Sequence, residues 1–334
     1  MALIGRILKE NVFAEDGQLL LVKGVRLDSN HLRYLEQRNV VLTPEYLENV
    51  QEETVRKQQY LVTEEKVKSL FHLVADAKLP PLLEFNHTFY PLFHQYVKNS
   101  RFLYEVHELE GTDEYTYRHS INVGILTGII AKLIGLKTEC IEIFALAGFF
   151  HDLGKLKIPR AILLKDGGLS QDEFAEIRNH PRYGYEMLKA LTDDAPILDG
   201  ALYHHERMDG SGYPYGKFGM QTPEVAQIVA VADVFDAISS NRSYKGKKTI
   251  FQAGIVLESE MYKQKLNPRY VIPFLKYLSE SFIGHRVIFE DGRNGKVVLC
   301  YPDEPLRPLV MLEGECCDLR KNRDLFILDI LDTV

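Results

Sequence analysis

The sequence is poor in cysteine, has no excess of positive charge and contains no hydrophobic run long enough to cross a bilayer. Its four cysteines form no Cys-x-x-Cys pair, and the adjacent Cys316 and Cys317 cannot easily bridge each other. Free thiols in a reducing cytoplasm are the simplest interpretation. The formal net charge of −7 argues against broad binding to nucleic-acid polymers or anionic membranes, although small phosphate esters stay open as ligands.

Membrane insertion and secretion are disfavoured as well. The most apolar windows, residues 121–136 and 143–150, are too short to span a bilayer and predict buried helices instead. The N-terminal segment MALIGRILKE lacks the long apolar core and the small-residue cleavage site of a secretory signal. We therefore expect a cytoplasmic protein.

Hydrophobic periodicity predicts a mainly α fold with small β-containing modules at both ends. Residues 1–55 predict a small α/β module, and residues 56–109 predict linker helices that also complete a core. Residues 110–283 predict a helical domain, and residues 284–334 predict a small β-rich module. The chain is thus expected to place one helical domain between two smaller pieces.

Local signals place the elements within these segments. Thr138 is expected to cap a helix, and Ser170 with Glu173 forms the pattern of a capping box. A helix is predicted at residues 28–38. Short runs predict strands at residues 3–8, 19–22, 40–42, 287–289, 297–301, 309–312 and 325–330.

Histidine and aspartate are concentrated near the predicted helix ends. His204 and His205 are adjacent, and His151 is followed directly by Asp152. The pair at 151–152 fits a capped helix end equally well, whereas two adjacent imidazoles beside a glycine-rich stretch favour metal binding. Imidazole and carboxylate are usual ligands of transition-metal ions, and a carboxylate can bridge two ions. The same region also supplies His119, His180 and Asp233.

These three further residues are less specific when taken singly. His119 and His180 alone would be ordinary polar residues at helix ends. Asp233 interrupts an otherwise apolar helix, where a buried carboxylate must be paired or bound to a metal ion. Taken together, the seven residues indicate a hydrolase with a two-metal centre.

The order of these residues resembles that of the HD-GYP phosphodiesterases, a group of metal-dependent phosphohydrolases in the HD superfamily. The resemblance covers about residues 110–275 and depends on the segments YTYRHS, HDLGKLKIP, ILLKDGGLSQDEFAEIRNHP, HHERMDGSGYP and ADVFDAISSNRSYK. It implies an HD-superfamily helical bundle with its catalytic domain at residues 110–283. It also implies hydrolysis of cyclic di-GMP to pGpG, or on to GMP, in bacterial signalling.

The resemblance also implies roles for particular residues. One metal ion would be held by His119, His151, Asp152 and Asp233, and the second by His180, His204 and His205, with Asp152 bridging both. The resemblance implies iron or manganese. The ligand types alone do not separate Fe, Mn and Zn, and Zn, Ni, Mg or Ca could be bound in the purified protein. Such a pair activates water for attack on phosphorus, which makes Asp152 a catalytic residue.

Substrate contacts are predicted around this centre. Lys155, also counted as catalytic, is expected to neutralise a phosphate oxygen, while Arg242 suits planar bidentate recognition better than a lysine does. Asp236 stays open between a support for a ligand, a substrate contact and an extra ligand. The full set of predicted substrate contacts is Lys155, Asp236, Arg242, Lys245, Gly212, Tyr213 and Pro214.

One departure from the family pattern bears on the product. Some members bind a third metal ion through a glutamate one helical turn before the first histidine, where this chain has Tyr115, and Glu114 projects elsewhere. We therefore expect two ions and, by the resemblance, pGpG as the end product.

Two alternatives to cyclic di-GMP hydrolysis stay open. The substrate could be another cyclic dinucleotide such as cyclic GMP-AMP, or the chain could be a catalytically weak cyclic-dinucleotide receptor or interaction module. A protein partner at the Gly212-Tyr213-Pro214 loop and a homodimer are further expectations.

Overall fold

The computed structural model describes residues 3–6, 8–14, 16–21, 25, 27–47, 50–97, 103, 115–165, 167–240 and 249–331. The chain groups into two compact units, one formed by residues 1–59 with 276–334 and the other by residues 60–275. The four-segment division of the sequence stays a prediction. Among the helices of the described residues, none combines the length and the hydrophobicity that crossing a bilayer requires.

Helices account for most of the described chain, and the predicted mainly α fold with small sheets at both ends is confirmed. The helices, in chain order, are α1 (Ser29–Glu36), α2 (Val50–Ala75), α3 (Leu82–Val97), α4 (Tyr115–Leu133), α5 (Thr138–Phe150), α6 (Arg160–Leu163), α7 (Gln171–Ile177), α8 (His180–Lys189), α9 (Ala195–Tyr203), α10 (Glu224–Ser239), α11 (Ile250–Tyr262) and α12 (Pro268–Glu280). Short 3₁₀ helices lie at Pro44–Tyr46, Leu153–Lys157 and Gly219–Gln221.

The unit of residues 60–275 is built around α4. This helix packs against α3, α5 and α10, and α5 also packs against α9. Residues 119–131 are buried on every side, because apolar and small residues occupy the whole circumference rather than one stripe. Phe89 of α3 meets Phe149 of α5 with ring centroids 4.8 Å apart, so α3 helps to complete this core.

Of the two helix caps predicted from the sequence, one is present in the structure and the other is not. Ser170 and Glu173 form the predicted capping box at the start of α7. The expectation for Thr138 was wrong, because Lys137 occupies the N-cap position of α5 and makes no side-chain cap bond. Thr138 is instead the first helical residue, in a helix whose stability comes from the burial of its second half.

The other unit contains two antiparallel sheets. Strands β1 (Val12–Phe13) and β2 (Leu19–Leu21) form a two-stranded sheet near the start of the chain. The second sheet has the order β6-β5-β4-β3-β7, and its strands are β3 (Arg286–Phe289), β4 (Asn294–Leu299), β5 (Leu309–Leu312), β6 (Glu315–Asp318) and β7 (Ile327–Leu331).

Two strand predictions in this unit need correction, and strands β1 and β6 were missed. Within the strand predicted at residues 3–8, residues 3–5 form a turn with Gly5 at positive φ, and Leu8 makes an isolated bridge to Leu47. The strand predicted at 40–42 is absent from the described residues, and Val41 there is 83% exposed. Strand β6 was missed, because its polar sequence carries no hydrophobic alternation.

Candidate metal centre

The candidate ligands come together inside the unit of residues 60–275. They lie at or near the ends of α4, α5, α8 and α9 and in the middle of α10. His119 lies in the second turn of α4, and His151 directly follows α5. His180 begins α8, His204 directly follows α9, and Asp233 lies within α10. All seven candidate ligands thus meet, and six of them are buried while His205 is half-buried.

The seven residues form two groups. One group consists of His119, His151 and Asp233, and the other of Asp152, His180, His204 and His205; within each group the candidate ligand atoms lie within 4.8 Å of one another. This division is the one that the family resemblance implied, except that Asp152 stands with the second group.

Asp152 lies between the two groups. Its Oδ2 is 3.5 Å from His119 Nε2 and 3.3 Å from His151 Nε2. Its Oδ1 is 3.2 Å from His180 Nε2 and 3.8 Å from His204 Nε2. One carboxylate therefore presents a separate oxygen to each group, as a bridging ligand does.

Backbone carbonyl groups fix the orientation of three imidazoles. The Nδ1 atoms of His151 and His180 lie 2.7 Å from the carbonyl oxygens of Gly148 and Ile177, and His204 Nδ1 lies 3.0 Å from that of Ala201. Because a carbonyl oxygen only accepts, each Nδ1 carries the proton and donates it. Each Nε2 then directs its lone pair into the centre, which is the form that binds a metal ion.

Electrostatics favour ionised carboxylates beside neutral imidazoles. Burial opposes ionisation of Asp152, but the charges of His151 and Lys155 hold its pKa well below the usual range. Burial lowers the pKa of His204 well below its usual value, and the neighbouring His151 and His180 lower it further. Burial, together with the neighbouring His204, lowers the pKa of His205 well below its usual value in the same way.

His151 behaves differently from these two histidines. Burial alone would lower its pKa, but the carboxylates of Asp152 and Asp233 raise it to about 10. A second proton, on His151 Nε2, thus compensates buried negative charge in the protein without metal. A divalent cation would supply the same compensation and displace that proton.

The residues present fit divalent metal ions. His180 Nε2 and His204 Nε2 lie 3.3 Å apart, with both Nδ1 protons already committed to carbonyl groups. Two facing lone pairs repel each other unless a proton or a cation lies between them. Among the described residues, neither His151 Nε2 nor Asp152 Oδ1 has a hydrogen bond of acceptable geometry. A bound cation would supply both atoms with the partner that they lack.

Lys155 and Asp236 contact the centre in different ways. Lys155 Nζ donates to Asp152 Oδ2 and keeps a quarter of its side chain exposed, so it faces both the carboxylate and solvent. Asp236 Oδ2 accepts from His119 Nδ1 at 2.7 Å, and its Oδ1 accepts from Asn122. Of the three roles left open for Asp236, this geometry matches the support of a ligand. Arg242, Lys245 and Glu114 lie outside the described residues, as does the side chain of Tyr115.

The Gly212-Tyr213-Pro214 loop packs on the double histidine. The Tyr213 ring stacks on His205 with centroids 4.5 Å apart, and its backbone N–H donates to the His205 carbonyl oxygen. A Cβ on Gly212 would collide with backbone atoms of His205 and Arg207, so only glycine permits this approach. The loop thus supports a candidate ligand directly.

Sequence reasoning missed two side chains beside this loop. Glu206 is buried, and its two carboxylate oxygens accept the backbone N–H groups of Tyr215 and Lys217, each at 2.8 Å. Its position directly after the double histidine was the available signal. The Arg178 guanidinium lies 4.7 Å from the centroid of the Tyr213 ring; this residue belongs to the segment ILLKDGGLSQDEFAEIRNHP but was not singled out in it.

Comparison with known proteins defines the class of this site. Residues 106–269 match the family model described as HD domain. The resemblance first indicated by His151-Asp152 and Gly212-Tyr213-Pro214 is confirmed by this match to an HD domain and by relatives named as cyclic di-GMP phosphodiesterases.

Two relatives and one solved structure illustrate the likeness. The chain is similar to the cyclic di-GMP phosphodiesterase PA4108 of Pseudomonas aeruginosa, with 36% identity over 60% of this chain and 49% of that protein. It is 33% identical to the 3'3'-cGAMP-specific phosphodiesterase 1 of Vibrio cholerae, over 46% of this chain and 36% of that protein. The chain therefore spans about half or less of these relatives.

The structural likeness concerns the fold alone. Bd1817, an HDG"Y"P protein from Bdellovibrio bacteriovorus, superimposes with a TM-score of 0.53 at 18% identity, covering 83% of this chain and 96% of that one. At this identity the match supports the helical HD architecture and carries no information about substrate.

Proposed function

We propose that this protein hydrolyses a cyclic dinucleotide, with cyclic di-GMP as the first candidate and pGpG as its product. The single observation that carries the proposal is the position of Asp152, with one carboxylate oxygen toward each of two histidine groups. The names of several relatives support phosphodiester hydrolysis as the reaction.

In this proposal two divalent ions are held by the two groups, with His119, His151 and Asp233 in one and Asp152, His180, His204 and His205 in the other. Iron or manganese is proposed, although the donor set also suits Zn or Ni. Ions of this kind supply Lewis-acid polarisation of a phosphoryl oxygen and activation of water.

Other groups of the protein contribute the remaining interactions. Lys155 holds its positive charge beside Asp152 and would stabilise a phosphate oxygen there. The carbonyl groups behind His151, His180 and His204 keep the imidazoles from rotating, which limits reorganisation during the reaction. Tyr213, stacked on His205, would line the substrate side together with Arg178.

The choice between substrates has a specific observation on each side. A relative named as specific for 3'3'-cGAMP supports cyclic GMP-AMP as the second candidate, since it matches 46% of this chain. The proposed end product is pGpG because Tyr115 stands where a third metal ion would need a glutamate.

A cytoplasmic location is proposed from the free cysteines.

The test uses protein purified without oxygen, analysed for bound elements and then loaded with Mn²⁺ or Fe²⁺. Cyclic di-GMP, 3'3'-cGAMP and cyclic di-AMP are offered in parallel, and products are identified by chromatography. We expect turnover of cyclic di-GMP to pGpG, and loss of both metal binding and hydrolysis in the Asp152→Ala variant.

The matched control is Asp172→Ala, which removes an exposed carboxylate from α7 and should retain activity. Hydrolysis that survives in Asp152→Ala would contradict the proposal. Tight binding of cyclic di-GMP without any turnover in the metal-loaded protein would indicate a receptor instead.

A further inference from the structure

A chain of buried hydrogen bonds extends from His119 away from the candidate metal centre. Asp236 accepts from His119 Nδ1 at 2.7 Å and from Asn122 Nδ2 at 2.8 Å. The Tyr60 hydroxyl donates to Asn122 Oδ1 at 2.6 Å. All four residues are buried, so water does not replace these bonds easily.

Tyr60 belongs to α2 and Asn122 to α4. A second, partly buried contact joins these two helices one helical turn away. Arg118 of α4 binds Glu64 of α2 through two hydrogen bonds, from Nε at 3.1 Å and from Nη2 at 2.8 Å. Tyr60 and Glu64 are four residues apart on α2, as Arg118 and Asn122 are on α4, so each pair shares one helix face. Tyr60 meets Asn122 and Glu64 meets Arg118, which is the order that antiparallel helices give.

The direction of each hydrogen bond follows from the groups involved. A carboxylate only accepts, so His119 carries its proton on Nδ1 and directs Nε2 toward Asp233 Oδ1, 3.1 Å away. Asn122 must turn its NH₂ group to Asp236, which leaves its oxygen for the Tyr60 hydroxyl. Without that hydroxyl, Asp236 alone holds the amide of Asn122 in this orientation, and a flipped amide would face Asp236 with an oxygen.

We propose that Tyr60 and Asn122 are positioning residues that act through Asp236 on His119. They fix the orientation and the Nδ1 proton of this imidazole, and so set the affinity of His119, His151 and Asp233 for a divalent cation. Groups that hydrogen-bond to metal-bound histidines commonly change metal affinity by 10- to 100-fold. The inference rests on the proposed function for the presence of the ions, but not on the identity of the substrate.

The experiment titrates metal-free protein with Mn²⁺ under anaerobic conditions and resolves the two binding steps. The His119→Ala and His205→Ala variants assign each step to one group of ligands. Tyr60→Phe removes only a hydroxyl, and we expect it to weaken binding at the His119 group by about three- to tenfold. Asp236→Asn is expected to weaken the same step by about 10- to 100-fold. The Mn²⁺ affinity of the other group, which contains His180, His204 and His205, should change by less than about twofold in both variants.

The matched control is Tyr96→Phe, because Tyr96 is a buried tyrosine whose ring meets that of Tyr60 edge-on at 6.4 Å. It should leave both binding steps unchanged. Thermal unfolding of each metal-free variant separates a loss of stability from a loss of affinity.

Three results would overturn the inference. These are unchanged affinity in Tyr60→Phe and Asp236→Asn, equal weakening of both steps, or a lower thermal midpoint of the metal-free protein with both affinities intact. A wild-type protein that binds no Mn²⁺ would count against the proposed function instead. Selective weakening in a protein that hydrolyses no cyclic dinucleotide would leave the inference standing.

Discussion

Gly154 lies between Asp152 and Lys155, where the chain passes close to the start of α8. A Cβ at this position would collide with the carbonyl oxygen of His180 and the backbone nitrogen of Gly184. The absence of a side chain at residue 154 therefore allows Asp152 and His180 to reach the 3.2 Å separation of their ligand atoms.

Gly154→Ala is expected to push the 3₁₀ helix Leu153–Lys157 away from α8. Overpacking of this kind costs about 1–3 kcal/mol, and denaturant unfolding of the metal-free protein measures it. The Asp152–His180 distance should also increase, which weakens metal binding. Gly168→Ala is the matched control, since nothing lies within 4 Å of a Cβ there, and it should change stability by less than about 0.5 kcal/mol. Equal effects of the two substitutions would contradict the packing argument.

Sequence reasoning found the residues whose chemistry is distinctive and missed those that support them. The seven candidate ligands were predicted by residue type and motif, and the structure brings all of them together. Asn122 and Tyr60 belong to none of the sets of candidate residues that the sequence indicated. Their roles depend on a contact between helices that are far apart in the chain, which no local pattern encodes.

Helix α2 contributes the carboxylate of a buried ion pair with α4. The side chain of Glu64 is 9% exposed and that of Arg118 is 17% exposed. Since most of the surface of both side chains is removed from water, their energetics differ from those of a surface pair.

Glu64→Gln keeps the shape of the side chain but leaves the Arg118 guanidinium without the charge of its carboxylate. We expect the free energy of unfolding to fall by about 3 kcal/mol, near the lower end for breaking a buried pair because both groups keep some exposure. Arg323→Gln breaks the exposed pair of Arg323 with Glu304 and should lower the free energy of unfolding much less, because water and salt screen an exposed pair. Urea denaturation measures the free energy of unfolding of both variants. A similar small decrease in each would refute the larger contribution of the Glu64–Arg118 pair.

The elements were predicted better where periodicity is strong than where it is weak. The helices of the central segment follow from their apolar pattern, and the start of α7 follows from its capping box. Strand β6, with the sequence Glu-Cys-Cys-Asp, was missed because it has no alternating pattern. It pairs with β5 after the tight turn at Glu313 and Gly314, so its conformation depends on its neighbour rather than on its own residues.

At the scale of the whole molecule, a cluster of imidazoles and two carboxylates lies buried where a hydrophobic core would otherwise be. Its stability therefore depends on what compensates the charges. Protons do so in part when no ion is present, as the raised pKa of His151 indicates.

Metal ions should consequently stabilise the fold as a whole. Mn²⁺ at 100 times its dissociation constant adds about 2.7 kcal/mol for each site that only the folded state forms. We expect the thermal midpoint to rise with Mn²⁺ concentration and to return to its starting value after addition of a chelator. Asp152→Ala should show little of this rise, because both groups lose their shared carboxylate. A wild-type midpoint that does not respond to Mn²⁺ would exclude the coupling between ion and fold.

The donors of the centre are spread from α4 to α10, which has a consequence for biosynthesis. When the ribosome has not yet reached the codon for residue 233, the group of Asp152, His180, His204 and His205 has been synthesised, but the group of His119 and His151 still lacks Asp233. Both groups can therefore be complete only after α10 has been synthesised and has packed against α4.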